Sequence, residues 1–505
     1  MKLTSLKFPP MRKNLLVIVF AILVMIPVQQ ATAALVNPSI SAWLPSWDYE
    51  KGMKSIRQYP TLFSEISPFW YYLNTDGTVG VSTGGENAEF VKEMHSLGIK
   101  VIPSITNSFK DERAGFVMGD EAKRKAFVDK MVGIVNKHNY DGLDIDFEGL
   151  KLPNKQNFIA LLTALATELH KHNKFLTVAV QAKTSDPGPW ETVQAQDWKA
   201  IAAVVDRFRI MAYDEHYSGS TTPGAIASKP WLEAIMNFAK TQVPEEKLII
   251  GMPMYGYNWG TVEKTYAVTF DDVNYLLKKF APNIQWDELN KVPFFTYDKP
   301  GTAADAPVDK RTVYFENQDS IEAKWNVVKQ YPFAGLVFWR LGGEDTTIWQ
   351  FLAEEKKKLL VSKPFGDVNE EHWAHTYIRA LRSYDLVQGV DNTFFPERNL
   401  TRAEGLKIVL KAGQIPATTL PVVSQFTDVK KQDWFASLVL TARARGIVTG
   451  QDNQFSPHRA LTRSEALKMI QRGFGKKAPA TLVRPDDVIS RAEFAKLVSV
   501  GFRLL

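Results

Sequence analysis

The stretch Y-D-G-L-D-I-D-F-E-G-L, residues 140–150, decides how the rest of the chain is interpreted. In it Asp144, Asp146 and Glu148 occupy alternate positions, and large apolar residues fill the positions between them. Because successive side chains of a β-strand point to opposite faces, the three carboxyl groups share one face of a predicted strand, about 6.6 Å apart at a rise of about 3.3 Å per residue. Like charges this close disfavour full ionisation, so we expect at least one group to hold a proton near neutral pH. A protonated carboxyl group beside ionised ones is what cleavage of a glycosidic bond requires.

An exposed edge strand with a solvated acidic face is the alternative interpretation of this stretch. Aspartate is depleted in strands, and its alternation with Leu, Ile and Phe is a poor composition for an exposed edge. We therefore favour a buried strand whose acidic face lines a site.

Around this strand, between about residues 37 and 360, short β-rich runs alternate with amphipathic helical segments. Such alternation is typical of a parallel sheet with crossover helices. Eight units in this length predict an α/β fold, a (β/α)8 TIM barrel with its site at the C-terminal ends of the strands. A doubly wound sheet is the alternative, but the sequence lacks a glycine-rich phosphate loop to support it. The predicted strands cover residues 39–43, 65–73, 100–105, 142–147, 175–180, 207–212, 247–253 and 334–339.

The segment 258–332, between the seventh and eighth predicted strands, is long for one crossover. It predicts a small α+β insertion with short strands at 293–297 and 312–315 that form one wall of a cleft.

The pattern D-G-x-D-x-D-x-E, which ends at Glu148, resembles the signature of glycoside hydrolase family 18, the chitinase-like (β/α)8 barrels. The resemblance implies that Glu148 is the general acid. It also implies that Asp146 orients the N-acetyl group of the substrate and that Asp144 tunes the charge of Asp146. This family is one of the exceptions to two-carboxylate glycoside hydrolysis, because the substrate itself assists the reaction.

Three further predicted strand ends resemble the same family. The sixth ends in M-A-Y-D, similar to the family's M-x-Y-D, which implies that Tyr213 and Asp214 contact the acetamido group. The seventh ends in G-M-P-M-Y-G, similar to G-x-P-x-Y-G, which makes Tyr255 a substrate-binding candidate. The eighth ends at Trp339, where the family places the floor of the cleavage subsite. An indole suits that role because a pyranose presents a face of C–H bonds to it.

Two departures from the family pattern leave the substrate open. After the third strand the chain reads S-I-T-N, ending at Asn107, where many chitinases have Ser-x-Gly-Gly. Gln181, a further substrate-binding candidate, stands where relatives would carry Pro. With the sequence Y-D-E-H at 213–216, these features resemble the cell-wall and spore-associated branch of the family. We therefore favour the glycan of peptidoglycan slightly over chitin.

The first 33 residues predict a secretory signal peptide. Four basic residues precede an apolar run of 14 residues at 15–28, and A-T-A at 31–33 offers a cleavage site. A retained membrane anchor is the alternative, but the run is short for a spanning helix. Removing the four basic residues lowers the formal net charge from +6 to +2, and no stable membrane span is expected afterwards.

Composition excludes several other classes of function. With 45% hydrophobic and 23% charged residues the chain is a folded protein, and its charge does not suggest a nucleic-acid partner. The absence of cysteine excludes a thiol-ligated metal. We expect no metal site and no cofactor.

The tail repeats itself from residue 365 onward. Trp373 and Trp434 occupy the same place in two copies, as do Arg402 and Arg463, and both pairs are 61 residues apart (434 − 373 = 61; 463 − 402 = 61). A fixed period indicates supersecondary units that pack on one another. Each copy predicts helix, loop, helix, with a capping box T-R-x-E at the start of the second helix. A third copy is reduced to I-S-R-A-E at 489–493.

These copies resemble S-layer homology domains, which tether exported proteins to an anionic polysaccharide of the cell wall. The resemblance implies that Arg402, Arg463, Trp373 and Trp434 contact the polymer. The planar fork of Arg suits anionic groups. The alternative is that both Arg residues only support the helix start. Because the third copy lacks its first helix, we expect either weaker wall binding or completion by a second molecule.

The predicted organisation is a signal peptide at 1–33, a family 18 barrel at 34–360, repeats at 365–424 and 425–480, and a truncated repeat at 481–505. The predicted function is an exported cell-surface glycosidase acting on β-1,4-linked N-acetylglucosamine polymer by a substrate-assisted retaining mechanism. A catalytically weak, lectin-like protein on the same barrel is the main alternative. A structural surface-layer protein is a third interpretation, but it leaves the acidic strand without a role.

Overall fold

The computed structural model describes residues 38–301, 306–358, 365–413, 415–417, 426–474 and 484–501. The predicted signal peptide lies outside these residues. No helix within these ranges is long and apolar enough to cross a membrane.

Eight parallel strands close into a barrel, which confirms the predicted (β/α)8 fold over the doubly wound alternative. Each strand pairs with the next in chain order, and the eighth pairs with the first to complete the circle. The strands are β1 (Ser39–Pro45), β2 (Phe63–Leu73), β3 (Ser104–Thr106), β4 (Gly142–Asp146), β5 (Phe175–Gln181), β6 (Arg207–Met211), β7 (Leu248–Pro253) and β8 (Gly335–Trp339).

Helices surround the barrel and bury their apolar stripes against it. In the helix Lys155–Lys171 the buried residues include Phe158, Leu161, Leu165 and Leu169, which recur every three or four positions. The barrel helices are Tyr49–Gln58, Ala88–Ser96, Asp111–Met118, Glu121–Lys137, Lys155–Lys171, Glu191–Ala195, Trp198–Val204, Lys229–Gln242, Gln318–Val328 and Thr347–Lys358.

The third strand differs from its prediction. Residues 100–105 were expected to form one strand, whereas the structure has Lys100–Val101 and Ser104–Thr106 with a break between them. Pro103 lies in the break, and proline has no N–H to donate to a neighbouring strand. A short additional strand, Val79–Val81, pairs antiparallel with β2.

The predicted insertion between β7 and β8 is present as a five-stranded antiparallel sheet with its own small apolar core. One helix, Phe270–Phe280, lies against it and begins with a capping box between Thr269 and Asp272. In spatial order the strands are Tyr266–Val268, Gly256–Gly260, Asp309–Tyr314, Val292–Lys299 and Gln285–Asp287.

The tail is helical, and its three copies meet in a closed ring. The backbone N–H of Leu400 donates to Ile489 at 3.1 Å, that of Ile489 to Leu461 at 2.9 Å, and that of Leu461 back to Leu400 at 2.8 Å. The truncated third copy therefore completes the ring within one chain, without a second molecule. The tail helices are His375–Ser383, Arg402–Ala412, Ala436–Ala444, Arg463–Phe474 and Arg491–Gly501.

The tail docks on the end of the barrel where the strands begin. Asp206, directly before β6, is buried and ion-paired with Arg445 of the second repeat. The Arg445 guanidinium lies 5.4 Å from the ring centroid of Phe175, the first residue of β5, and Asn173 donates to the carbonyl of Arg472. The tail therefore occupies the end of the barrel opposite the C-terminal ends of the strands.

Candidate active site

Strand β4 separates its acidic and apolar side chains as predicted. Leu143, Ile145 and Phe147 are fully buried in the apolar core. The strand ends at Asp146, one residue earlier than predicted, so Glu148 lies just beyond the C-terminal end of β4. The exposed edge strand is excluded, because β4 is bonded to β3 on one side and to β5 on the other.

Asp144 is the deepest of the three carboxylates and is surrounded by donors. Trp43 Nε1 donates to its Oδ2 at 2.9 Å and Ser104 Oγ donates to the same oxygen at 2.7 Å. Thr177 Oγ1 donates to Oδ1, and Arg209 Nη1 lies 3.1 Å from Oδ1. Four donors therefore satisfy both oxygens of a carboxylate that has no exposed surface.

Arg209 links Asp144 to a second buried acid inside the barrel. Its Nη2 lies 2.7 Å from Glu65 of β2, and Glu65 also lies 2.9 Å from Arg207 Nε. Arg209 itself has no exposed surface. Two carboxylates and two guanidinium groups thus compensate one another below the site.

Asp146 and Glu148 hold their protons more tightly than ordinary carboxyl groups. Burial and the charge of Asp144 raise the pKa of Asp146 to about 7, although Arg209 opposes the shift. Burial, Asp146 and Asp214 raise the pKa of Glu148 well above its usual range. Buried Oδ1 of Asp146 has no hydrogen-bond partner in the protein. Such an atom points to a donor supplied by a ligand.

The residues after β6 and β7 form the opposite wall. Both Tyr255 and Tyr257 donate to Oδ1 of Asp214, the latter at 3.2 Å. Burial raises the pKa of Asp214, and the two tyrosine hydroxyls oppose that shift. Burial and the surrounding carboxylates raise the pKa of Tyr213 well above its usual range, so its hydroxyl remains a donor. Glu148, Asp146, Tyr213, Asp214 and Tyr255 line one cavity.

Trp339 also lines this cavity of about 660 Å³. The edges of two aromatic rings support it, with ring centroids 5.9 Å away at Trp43 and 5.6 Å away at Phe69. The cavity lies at the C-terminal ends of the strands, where the barrel prediction placed the site. One wall comes from the insertion, which contributes Tyr257 and Thr269.

Gln181 does not join this cavity. It ends β5, but its side chain is not among the residues that line the cleft, and its Oε1 is buried without a hydrogen-bond partner. Its backbone N–H donates to Oε1 of Gln196 at 2.8 Å. The role of Gln181 as a direct substrate contact therefore remains a prediction without a contact to support it.

Several residues in and below the cleft were not predicted from the sequence. Tyr257 could have been found, because it follows Tyr255 in a Y-G-Y motif. Arg209 had a signal as well, since R-F-R-I-M alternates charged and apolar residues along a central strand. Trp47, whose side chain is 61% exposed at the cleft rim, gave no pattern to recognise.

The predicted tail residues lie apart from this cavity. Trp373 and Trp434 are exposed. Arg402 is mostly buried at the edge of a groove of about 510 Å³, where its Nη2 donates to the carbonyl of Thr449 at 2.9 Å. Arg463 is ion-paired with carboxylates of the third copy.

The arrangement at the cleft suits acid-assisted cleavage of a sugar bond. It combines a carboxyl group that keeps its proton, an acceptor that lacks a partner, a hydroxyl donor and an indole ring. Among the described residues no group of three or more His, Cys, Asp or Glu side chains could hold a metal ion.

Comparison with known proteins also indicates an enzyme that cleaves sugar bonds. Residues 46–345 match the family described as Glycosyl hydrolases family 18, and residues 364–404 and 425–467 match the S-layer homology domain. YdhD of Bacillus subtilis, which is named as a sporulation-specific glycosylase, is 30% identical over 334 residues, 62% of this chain and 75% of the relative. The cortical fragment-lytic enzyme of Bacillus subtilis is 24% identical over 58% of this chain and 69% of its own length.

Solved structures share the fold. The spore cortex-lytic enzyme SleL of Bacillus cereus matches with a TM-score of 0.57 and 22% identity, over 63% of this chain and 74% of that one. The family match covers more than half of the chain. The chain therefore belongs to glycosyl hydrolase family 18, is a glycosidase, and carries S-layer homology repeats in its tail.

Proposed function

We propose that the protein hydrolyses β-1,4 bonds in an N-acetylglucosamine-containing polymer of the cell envelope, with the acetamido group of the substrate as the nucleophile. The observation that carries this proposal is the buried Oδ1 of Asp146, which lacks a protein partner. An acetamido N–H is a neutral donor of the right kind for it, and the neighbouring Tyr213 hydroxyl can donate to the acetamido carbonyl.

In this proposal Glu148 is the general acid. Its raised pKa keeps the proton available at neutral pH, and it lines the cavity together with Trp339. Glu148 protonates the leaving oxygen while the acetamido oxygen attacks the anomeric carbon. Asp146 stabilises the positive charge that develops on the acetamido nitrogen, and water then opens the cyclic intermediate with retention of configuration. General acid catalysis of this kind typically contributes about 10²–10⁴ in rate.

The positions of the carboxylates favour a nucleophile that the substrate itself supplies. Asp146 and Glu148 belong to the same strand end, so they approach the sugar from the same side, whereas a protein nucleophile must face the acid across the bond at about 5–5.5 Å. Asp214 and Asp272 also line the cavity, but Asp214 accepts from Tyr255 and Tyr257, and Asp272 accepts from Thr269 in a capping box. To test the mechanism, matched oligomers with and without acetylation at the cleaved sugar are compared by initial rate. Equal rates would remove the mechanism and direct attention to Asp214.

Between the two polymers, we favour the glycan of peptidoglycan. The relatives named for spore cortex support this choice, as do the departures at Asn107 and Gln181 from the chitinase pattern. Mass spectrometry of products from purified peptidoglycan and from chitin oligomers tests it, with Glu148→Gln as the inactive control. Faster turnover of chitin oligomers would reverse the choice of substrate, and binding without turnover of either polymer would favour a lectin-like role.

We propose further that the tail holds the protein at the cell surface by binding an anionic wall polymer, and that Arg491 shares this role with Arg402. Arg491 Nη2 donates to the carbonyl of Gln388 at 3.2 Å, the counterpart of the bond from Arg402 to Thr449 in the next copy (449 − 388 = 61). Arg463 has no such partner turn, because the third copy lacks its first half. Its guanidinium is ion-paired with Asp487 and Glu493, whereas that of Arg402 is ion-paired with Glu465 at 3.2 Å.

Two basic grooves follow from this arrangement. The Arg402 groove also contains Arg459, Lys468 and Arg472. The Arg491 groove, about 220 Å³, contains Lys407, Lys411 and Trp434 beside the acids Glu404 and Asp385, and Asp385 is ion-paired with Lys411. Among the described residues only the Arg491 groove of the two has a tryptophan in its lining, because the counterpart in the Arg402 groove would come from the missing part of the third copy.

A further inference from the structure

We infer that Asn107 is a positioning residue for Glu148 and that it orients the acid for protonation of a sugar leaving group. The inference rests on the proposed role of Glu148. Asn107 directly follows β3 and has no exposed surface. Its Nδ2 donates to the carbonyl oxygen of Glu148 at 2.7 Å, and its Oδ1 accepts from the backbone N–H of Glu148 at 2.9 Å. One side chain thus holds the two peptide groups that flank the Cα atom of Glu148.

The same side chain secures a turn at the rim of the cleft. Asn107 Nδ2 also donates to the carbonyl of Lys110 at 3.1 Å, while Lys110 N–H donates to the carbonyl of Asn107 at 3.1 Å. The central residues Ser108 and Phe109 have φ values of 54° and 59°. A left-handed backbone at residues other than glycine is strained and persists only where the surroundings hold it. Phe109 is 67% exposed, and both turn residues line the cleft.

Gly149 completes this contact on the side of the acid. A Cβ at Gly149 would lie 2.7 Å from the carbonyl oxygen of Phe109, so the close approach of the turn to residues 148 and 149 requires glycine. Asn107 stands in the motif where many chitinases have Gly-Gly. Glycine has no side chain with which to hold the Glu148 peptide groups, so the asparagine adds a restraint to this chain.

A second amide holds the other side of the strand end. Gln196 has no exposed surface, and its Nε2 donates to the carbonyl of Phe147 at 3.3 Å while its Oε1 accepts from Gln181 N–H at 2.8 Å. The end of β4 is therefore fixed from the β3 side by Asn107 and from the β5 side by Gln196. Asn107 is the closer restraint, because it bonds to Glu148 itself.

A misplaced acid has a specific kinetic consequence. A sugar leaving group needs a proton from Glu148 in the transition state, whereas a 4-nitrophenolate leaving group departs with little help. A displacement of about 1 Å can cost about 10²-fold in rate for the step that depends on the displaced group. Loss of the Asn107 restraint should therefore lower kcat on a sugar leaving group by about 10²-fold and on an aryl leaving group by no more than about threefold.

The test uses the full chain and two substrates, chitotetraose and 4-nitrophenyl N,N′-diacetylchitobioside. Asn107→Ala removes all three side-chain bonds. Asn107→Asp keeps the acceptor for Glu148 N–H but turns a carboxylate oxygen toward two carbonyl oxygens. Both variants should show the unequal loss with little change in KM. The control for general destabilisation is Ile235→Val, which changes a buried position on the barrel helix Lys229–Gln242. Each variant is assayed at a temperature the same number of degrees below its own Tm.

Equal losses on the two substrates in both Asn107 variants would overturn the inference and leave Asn107 with a purely structural role. A variant with the wild-type rate on chitotetraose would overturn it as well. The wild-type assay separates this outcome from failure of the proposed function. If the wild-type protein cleaves neither these substrates nor purified peptidoglycan, the role of Glu148 fails. If the wild-type protein is active, only the Asn107 inference is at risk.

Discussion

At the scale of single residues, the site is built from carboxyl groups that burial has made unlike one another. Asp144 is surrounded by four donors, whereas Asp146 retains a buried oxygen without a protein partner and Glu148 lies among other acids. The alternation of the motif places all three in one place, but the surrounding donors make their environments different. Those donors come from other strands and could not be found in the motif itself.

The raised pKa of Glu148 predicts a stability cost that depends on pH. The folded protein keeps a proton that the unfolded chain loses above its pKa of about 4.3, so unfolding releases this proton and stability falls as pH rises from there through the raised pKa. Glu148→Gln cannot ionise and should be more stable than wild type at pH 8 by about 0.5–2 kcal/mol, with a smaller difference at pH 4. Urea unfolding at both pH values measures this. A difference that is larger at pH 4 would contradict the assigned direction of the pKa shift.

At the scale of elements, the acidic motif works because β4 is flanked by strands that supply its counter-charge. Strand β6 carries Arg207 and Arg209, and both point at Glu65 of β2 across the barrel interior. Removing one partner of a buried ion pair typically costs about 3–5 kcal/mol, because the other charge stays buried without compensation.

Arg209→Met is therefore expected to lower the free energy of unfolding by about 3–5 kcal/mol. The reason is that, among the described residues, Arg209 is the one cation within ion-pair distance of Asp144. Adding Asp144→Asn should recover part of the loss, since the two residues interact directly and their effects should not add. Denaturant unfolding of both single variants and the double variant measures the interaction. Purely additive losses would show that Arg209 acts through Glu65 alone.

Much of the fold was accessible from the pattern of strands and helices. The eight strands, the insertion and the capping boxes at Thr401 and Thr462 follow from local periodicity and capping chemistry. The break in the third strand could not be predicted from these patterns. Pro103 was visible in the sequence, but a proline alone does not tell how many residues leave the sheet. Gln181 was placed in the cleft by analogy, and its side chain instead stays outside the lining. Long-range partners such as Arg209 for Asp144 depend on closure of the barrel, which no local pattern contains.

At the scale of the whole molecule, the truncated third copy gives the tail a closed ring but incomplete grooves. We expect Arg402→Ala with Arg491→Ala to release the protein from isolated cell walls while hydrolysis of a soluble oligosaccharide is unchanged. The matched control is Lys430→Ala with Lys431→Ala, which removes two exposed positive charges outside both grooves. Wall pelleting at increasing salt measures the effect, and salt should weaken wild-type binding because the partner is anionic.

Equal release by the two double variants would show that overall charge, and not the grooves, holds the protein. Arg463→Ala tests whether the polymer contacts Arg463, as the family resemblance implies, or the two grooves. If Arg463→Ala alone releases the protein, the polymer contacts the surface around Arg463, and the Arg402 and Arg491 grooves lose their role.

A buried ion pair lies at the junction between the barrel and the tail. Asp206 receives bonds from His170 Nε2 at 2.9 Å and from the backbone of Leu176 at 2.8 Å, besides its ion pair with Arg445. These charges lower the pKa of Asp206. Its stabilising contribution is therefore present above the ordinary aspartate pKa of about 3.9 and is lost as pH falls through the lowered folded-state pKa.

Arg445→Met should uncouple the barrel from the tail. Among the described residues, this variant leaves Asp206 with His170 as its ion-pair partner. Breaking a buried ion pair typically lowers the free energy of unfolding by about 3–5 kcal/mol. We expect the wild-type protein to unfold in a single thermal transition and Arg445→Met to unfold in two, with the transition at lower temperature accompanied by loss of wall binding while glycosidase activity remains. Calorimetry and pelleting across the same temperatures measure this, and Arg443→Met, two residues away on the helix Ala436–Ala444, controls for loss of an arginine within the tail. One unchanged transition in Arg445→Met would show that the apolar contact around Ile102 and Phe175, not the ion pair, joins the two parts.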